Sequence, residues 1–174
     1  MSDQPLRHAE TPPATIDDAV YVAPGMAGRG IFAARDFARG DIVLHFDGQV
    51  FTGDELDRLG YVPGYPLQID LDRFMLLDEP YVFCNHSCDP NTGLTAELQL
   101  RAVRDIKRGD ELSFDYSTTM LEDHSWSLEC GCKTALCRGR VQDFDLLDAA
   151  TQRRLVDEVG VLPFITRELA RRGA

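Results

Sequence analysis

No stretch of this chain is apolar enough to cross a membrane. A spanning helix needs about 20 consecutive apolar residues, and every apolar run here is far shorter. The opening residues, MSDQPLRHAETPPATIDD, contain no apolar core of the kind a secretory signal requires. They are polar and proline-bearing, which predicts a flexible segment over residues 1–19. Basic side chains are scarce: 18 Lys and Arg stand against 29 Asp and Glu, a formal net charge of -11. That balance sets aside direct nucleic-acid binding, which needs clustered cations, and no membrane partner is expected. Strands do not alternate with helical patterns, so a doubly wound parallel sheet is set aside too. With no export signal, the expected address is cytoplasmic, or nuclear in a eukaryote. In such a compartment the five cysteines read as metal ligands or catalytic groups rather than disulfides.

What is present describes a mainly β globular domain. A chain of 174 residues with a 44% hydrophobic fraction can bury a real core. Short β-type runs dominate the first two thirds, among them VYVAP, IFAARDF, IVLHF, LQIDL, RFMLL, LQLRAV and LSFDY, separated by glycines and charged turns. DELDRLG predicts a brief helix. It lies in residues 41–80, which carry nine acids and two bases, a net of -7. Such a stretch is either a solvated face or a surface that attracts a basic partner. Two segments echo each other: ARDFARGDIVLHF and VRDIKRGDELSF share the frame Arg-Asp-x-x-Arg-Gly-Asp. Each predicts a strand, a tight turn at Gly40 or Gly109, and a returning strand. After Cys137 the pattern changes. Leu147, Thr151, Leu155 and Val159 fall near helical spacing, Gly160 is a stop, and Pro163 suits a helix's first turn. Two short helices within 143–172, packed on the β-rich body, are expected.

The cysteines carry the chemistry. In YVFCNHSCDPN, Cys84, His86 and Cys88 would share one face if the stretch were extended. CGCKTALC adds Cys130, Cys132 and Cys137 in a C-x-C-x4-C spacing. A structural zinc takes four thiolate or imidazole ligands. The second cluster supplies three, and Cys84, His86, Cys88 and His124 are the candidates for the fourth. A nucleophile built from Cys84 or Cys88 with His86 is the weaker reading, because neighbours on one strand rarely give a nucleophile–base–orienter geometry.

Four motifs occur in one order: GRGIFAARDFARGD, NHSCDPN, GDELSFDY and CGCKTALCRG. Together, over about residues 20–140, they resemble the SET-domain protein lysine methyltransferases that end in a cysteine-rich post-SET segment. The resemblance implies a SET-domain fold of small curved β-sheets with a pseudoknot, plus C-terminal helices. It divides the chain into a SET domain at 20–119 with a short insertion at 49–80, a post-SET zinc segment at 120–140 and a helical extension at 141–174. It implies S-adenosylmethionine as cofactor, held by Gly28, Arg29, Gly30, Asn85 and His86. It implies one structural zinc on Cys88, Cys130, Cys132 and Cys137. It makes Tyr116 catalytic, at the end of a substrate channel formed by Phe46, Phe114 and Tyr116, where a neutral lysine amine takes a methyl group in line. Phe114 would leave room for di- or trimethylation. The implied partner is a basic, lysine-containing protein or peptide meeting the acidic 41–80 region. Some positions depart from the family pattern: Phe46 stands for a tyrosine, Gln49 for a glutamate, Val82 for an arginine, and Arg140 where an aromatic often covers the adenine. No cysteine-rich segment precedes the core, as in a compact, bacterial-type member. The departures at Phe46, Val82 and Arg140 motivate a second expectation, a SET module that binds protein partners without catalysis.

Overall fold

The computed structural model describes residues 14–15, 18–61, 65–121 and 126–173. Most of the expected flexible N-terminal segment, and His124, lie outside the described residues. In chain order the first strands are β1 (Ala14–Thr15), β2 (Val20–Gly25), β3 (Gly28–Ala33), β4 (Ile42–His45), β5 (Gly48–Phe51), β6 (Leu67–Asp70) and β7 (Arg73–Leu77). They are followed by β8 (Asn85–His86), β9 (Thr92–Leu94), β10 (Gln99–Ala102), β11 (Ser113–Phe114), β12 (Leu128–Glu129) and β13 (Arg140–Val141). They form small separate sheets: β1-β2-β3, β4-β10-β9, β5-β7-β6, and the pairs β8/β11 and β12/β13. All pair antiparallel except β8 with β11, which is parallel and sets Asn85 opposite Ser113 and His86 opposite Phe114. That pair brings NHSCDPN and GDELSFDY side by side.

β2 and β3 make a tight hairpin around Met26 and Ala27, with Gly28 at φ +92°. A side chain there would be strained, so glycine closes the turn at little cost. DELDRLG does form a helix, α1 (Gly53–Leu59). Thr52 and Glu55 build a capping box at its start, and Gly60 ends it in the left-handed conformation.

The echoed segments behave differently from the expectation. Neither folds back on itself as a hairpin; the two turns dock on each other. Phe37 and Ile106 exchange both backbone hydrogen bonds, each 2.9 Å. Asp36 Oδ1 accepts from the Arg108 N–H at 2.9 Å, and Asp105 Oδ1 accepts from the Arg39 N–H at 3.0 Å. Asp41 and Asp110 each accept from the amide three residues earlier in their own turn. The shared frame therefore has a physical reason. Its first aspartate caps the other turn, its last aspartate caps its own, and its glycine takes φ +98° or +92°.

Toward the C-terminus, α2 (Ala149–Arg154) begins later than expected. Phe144–Leu146 makes a 3-10 turn first, and Asp148 caps the helix through the amides of Ala150 and Thr151. The helix continues as a π turn over Leu155–Val159 and stops at Gly160. α3 (Pro163–Arg172) starts on Pro163 as its sequence implies. Phe144, Leu155, Leu162, Phe164 and Ile165 join Phe46, Leu100 and Leu112 in a single buried cluster. The C-terminal helices thus share the core of the sheets. Among the described residues no helix is long and apolar enough to cross a membrane.

Candidate active site

The site grows from the parallel pair. Asn91 ties the two motifs together: its Nδ2 donates to Glu111 O at 2.9 Å, and its Oδ1 accepts from the Ser113 N–H at 2.9 Å. Glu111 then organises the adjoining hairpin. Its carboxylate accepts from the Met26 N–H at 2.9 Å and from Asn85 Nδ2 at 2.6 Å. A Cβ at Gly25 or Gly30 would collide with that carboxylate, so both glycines make room for it. Asn85 Nδ2 also donates to Arg29 O at 3.1 Å. The Arg29 side chain turns the other way, over the Phe83 ring at 3.6 Å and toward Glu79 at 3.3 Å.

Beside this network lies a cavity of about 180 Å³ lined by Met26, Ala27, Asn85, His86, Tyr116 and the segment Leu128–Cys132. Of the residues expected to hold a cofactor, Asn85 and His86 face it. Gly28, Arg29 and Gly30 do not line it; the hairpin tip, Met26 and Ala27, does. Trp126, Arg140 and Phe144 do not line it. Apolar cover comes instead from Leu128 and Met26, which are 44% and 48% exposed.

A second cavity of about 200 Å³ also has Tyr116 in its wall. Leu67, Leu77, Val82, Cys84, Phe114, Thr119 and Met120 are among its walls, so it is chiefly apolar. Phe114 lies with its ring centroid 4.8 Å from that of Tyr116. Phe46, expected to line the channel, is instead fully buried behind it, edge-on to Phe114 at 5.7 Å. The tyrosine-to-phenylalanine departure at that position therefore falls in the core. Tyr116 is the residue that lines both cavities. Its hydroxyl donates to Cys84 O at 2.9 Å. Burial pushes its pKa well above the ordinary phenol range, so the hydroxyl stays protonated and acts as a donor.

His86 holds Tyr116 from the backbone side. Its Nδ1 accepts from the Tyr116 N–H at 3.2 Å, which leaves the proton on Nε2, facing Cys88 Sγ at 3.3 Å. Desolvation pushes the imidazole pKa down to about 4 and outweighs the carboxylate of Asp115, so the ring is neutral. Cys84 is a core thiol: it is 3% exposed, and burial raises its pKa. That is the opposite of an activated nucleophile.

The sulfur atoms of Cys88, Cys130, Cys132 and Cys137 all lie within 4.8 Å of one another, and those of Cys88 and Cys130 are 3.6 Å apart. Zn–S bonds of about 2.3 Å in a tetrahedron place sulfurs about 3.8 Å apart, so the four fit a zinc ion. Burial raises the thiols of Cys88 and Cys130. At Cys132 the desolvation is opposed by hydrogen bonds from Thr134 and from the Cys88 backbone, which bring it down to about 6. Cys84 and His86 stand outside this group.

The SET domain profile matches residues 28–117, just over half of the chain. The chain belongs to the SET-domain family. Among its relatives is the histone-lysine N-methyltransferase dim-5 of Neurospora crassa, H3 lysine-9 specific, 36% identical over 121 residues, or 58% of this chain and 35% of that one. Histone-lysine N-methyltransferase Su(var)3-9 of Drosophila melanogaster is 30% identical over 144 residues, covering 64% and 23%. Human histone-lysine N-methyltransferase 2B is 31% identical over 127 residues, covering 64% and 5%. The match thus spans about a third or less of each of these relatives. A solved structure of a humanized mutant of the Chaetomium thermophilum Polycomb Repressive Complex 2 aligns at TM-score 0.51 and 25% identity, over 60% of this chain and 15% of that one.

Several organising residues of this SET domain escaped the sequence reading. Glu111, Asp115 and Arg138 sit inside the motifs but bear no catalytic signature. Met26 and Leu128 are ordinary apolar residues whose placement at one cavity depends on the fold.

Proposed function

We propose that this SET-domain chain is an S-adenosylmethionine-dependent protein-lysine N-methyltransferase. The observation that carries the reading is the sharing of Tyr116 by two cavities whose other lining residues differ. One has Asn85, His86 and the cysteine segment in its walls, the other is lined chiefly by apolar side chains. A reactant held in each would meet the other at Tyr116. S-adenosylmethionine bound in the first cavity supplies an electrophilic methyl group on a sulfonium. Asn85 and His86, with the hairpin tip Met26–Ala27, would hold it, and Met26 and Leu128 would cover the adenine. The apolar walls at Leu67, Leu77, Val82 and Phe114 exclude water from the lysine side chain. That disfavours its charged form, so the amine is presented neutral. Tyr116 holds the reacting nitrogen in line, and such positioning supplies about 7–11 kcal/mol in favourable cases. The zinc residues would tie the post-SET segment over the cofactor cavity, with no open coordination position for chemistry.

The substrate we propose is a basic, lysine-bearing protein segment, by analogy with relatives named as histone-lysine methyltransferases. The net charge of -7 over residues 41–80 would attract it. The four thiols grouped for metal suit a reducing compartment, cytoplasmic or nuclear. The test is methyl transfer from radiolabelled cofactor to histones and to a lysine-peptide array by the purified chain. Incorporation on lysine is expected. Binding of cofactor by calorimetry without any incorporation would sink the activity, and absence of both would favour the protein-binding module that the departures at Val82 and Arg140 motivate.

A further inference from the structure

The segment after the last cysteine carries a half-buried arginine that the resemblance gave no role. Arg138 directly follows Cys137. Its guanidinium makes a two-point pair with Asp115, Nη1 to Oδ2 at 2.6 Å and Nη2 to Oδ1 at 2.8 Å, and Nη2 also donates to Ser117 Oγ at 3.2 Å. The Asp115 side chain is fully buried, and that of Arg138 is 14% exposed. Asp115 begins the 3-10 turn Tyr116–Thr119 and accepts from the Ser117 N–H at 3.1 Å. At its other end, the Arg138 backbone N–H points at Cys88 Sγ, 3.4 Å away. One residue thus touches the cysteine cluster with its backbone and the turn that opens on Tyr116 with its side chain.

We propose that Arg138 is a positioning residue that couples metal occupancy of the Cys88, Cys130, Cys132 and Cys137 cluster to the placement of Tyr116. The physical reason lies in the burial of Asp115. A carboxylate with no exposure needs its counter-charge, and removing one partner of such a pair is strongly destabilising. The planar fork of arginine satisfies both carboxylate oxygens at once, which a lysine cannot do. When the cluster holds its metal, Cys137 is fixed and Arg138 is held against Asp115. When the metal leaves, Cys137 keeps only contacts within its own segment, to Thr134 O at 3.1 Å and Cys130 O at 3.7 Å, and movement of Arg138 with that segment strips Asp115 of its partner. The turn at 115–119 must then rearrange, and Tyr116 with it. The cluster is therefore more than a clamp on the lid; it sets the geometry of the reacting hydroxyl. The catalytic consequence rests on the methyltransferase reading, whereas the coupling itself does not.

The experiment uses the full chain loaded with zinc. Hydrogen exchange by mass spectrometry follows the peptide spanning 115–119 before and after metal removal with a chelator. Faster exchange in that peptide on removal is expected; unchanged protection overturns the coupling whether or not the chain is an enzyme. Arg138→Lys and Arg138→Met are then compared, each corrected for bound zinc. For Arg138→Met, zinc release to a chromogenic chelator is expected to quicken by about tenfold or more, the scale of losing one partner of a buried pair. For zinc-loaded Arg138→Lys, kcat is expected to fall while KM for the peptide holds and zinc content stays near one ion per chain. A general loss of folding would lower zinc content and active fraction together instead. Wild-type kcat in zinc-loaded Arg138→Lys, or wild-type zinc release in Arg138→Met, would refute the assignment. Should Arg138→Met fail to fold, the lysine variant and the exchange measurement decide it. Failure of the wild-type chain to methylate anything would count against the proposed function alone.

Discussion

The proposed chemistry rests on a few side chains whose polar contacts the structure fixes. Tyr116 donates its hydroxyl hydrogen to Cys84 O and lines both cavities. Replacing it by phenylalanine removes one donor and little volume. Turnover is expected to fall by about 10²-fold or more, as for loss of one preorganised donor, while cofactor affinity by calorimetry survives. Unchanged turnover would remove Tyr116 from the mechanism. Phe114 makes a companion prediction, because its ring borders the channel beside Tyr116. A hydroxyl introduced by Phe114→Tyr takes up room near the amine, so the product distribution, read by mass spectrometry, is expected to move toward monomethyl-lysine. Both proposed roles were expected from GDELSFDY through the resemblance. The role of Glu111 in the same motif was not, because a glutamate in a turn has no signature until Gly25, Gly30, Met26 and Asn85 are seen around it.

At the scale of elements, the docked twin turns give a test in pH. Asp36 accepts from the Arg108 amide and pairs with Lys107, and these contacts hold its carboxyl below its ordinary value of 3.8. A carboxylate with a depressed folded pKa stabilises the fold fully above its unfolded pKa, and that share is lost as pH falls through the folded pKa. Asp36→Asn is therefore expected to lower the melting temperature equally at pH 7 and pH 5. The difference should shrink only below about pH 3.9. A difference that disappears by pH 5 would assign the effect to another group. The zinc segment is the second element open to test. Cys137→Ser removes one of the four sulfurs grouped to fit a zinc ion and is expected to lower zinc content and weaken cofactor binding, read by metal analysis and calorimetry. Wild-type chain without zinc would sink the metal assignment.

At the scale of the molecule, the described C-terminal helices belong to the same core as the sheets. Leu155 is fully buried there, so Leu155→Ala should cost about 2–5 kcal/mol, the range for core leucine truncations, measured by urea unfolding. A cost near zero would mean the helices sit apart from the core. The sequence by itself determined the elements with strong local signals. α1 follows from Thr52, Glu55 and Gly60, the stop at Gly160 and start at Pro163 bound the last helices, and the cysteine spacing marks a metal cluster. Each of these depends on residues a few positions apart, where periodicity and capping act. The resemblance named Cys88 as the fourth sulfur, and the structure groups it with the other three. The tertiary structure alone decided that Phe46 lies in the core behind Phe114, that the echoed turns cap each other and that Arg138 meets Asp115. Those contacts join residues tens of positions apart through one parallel strand pair and a shared core. No local pattern encodes which of several equivalent side chains a distant segment will reach.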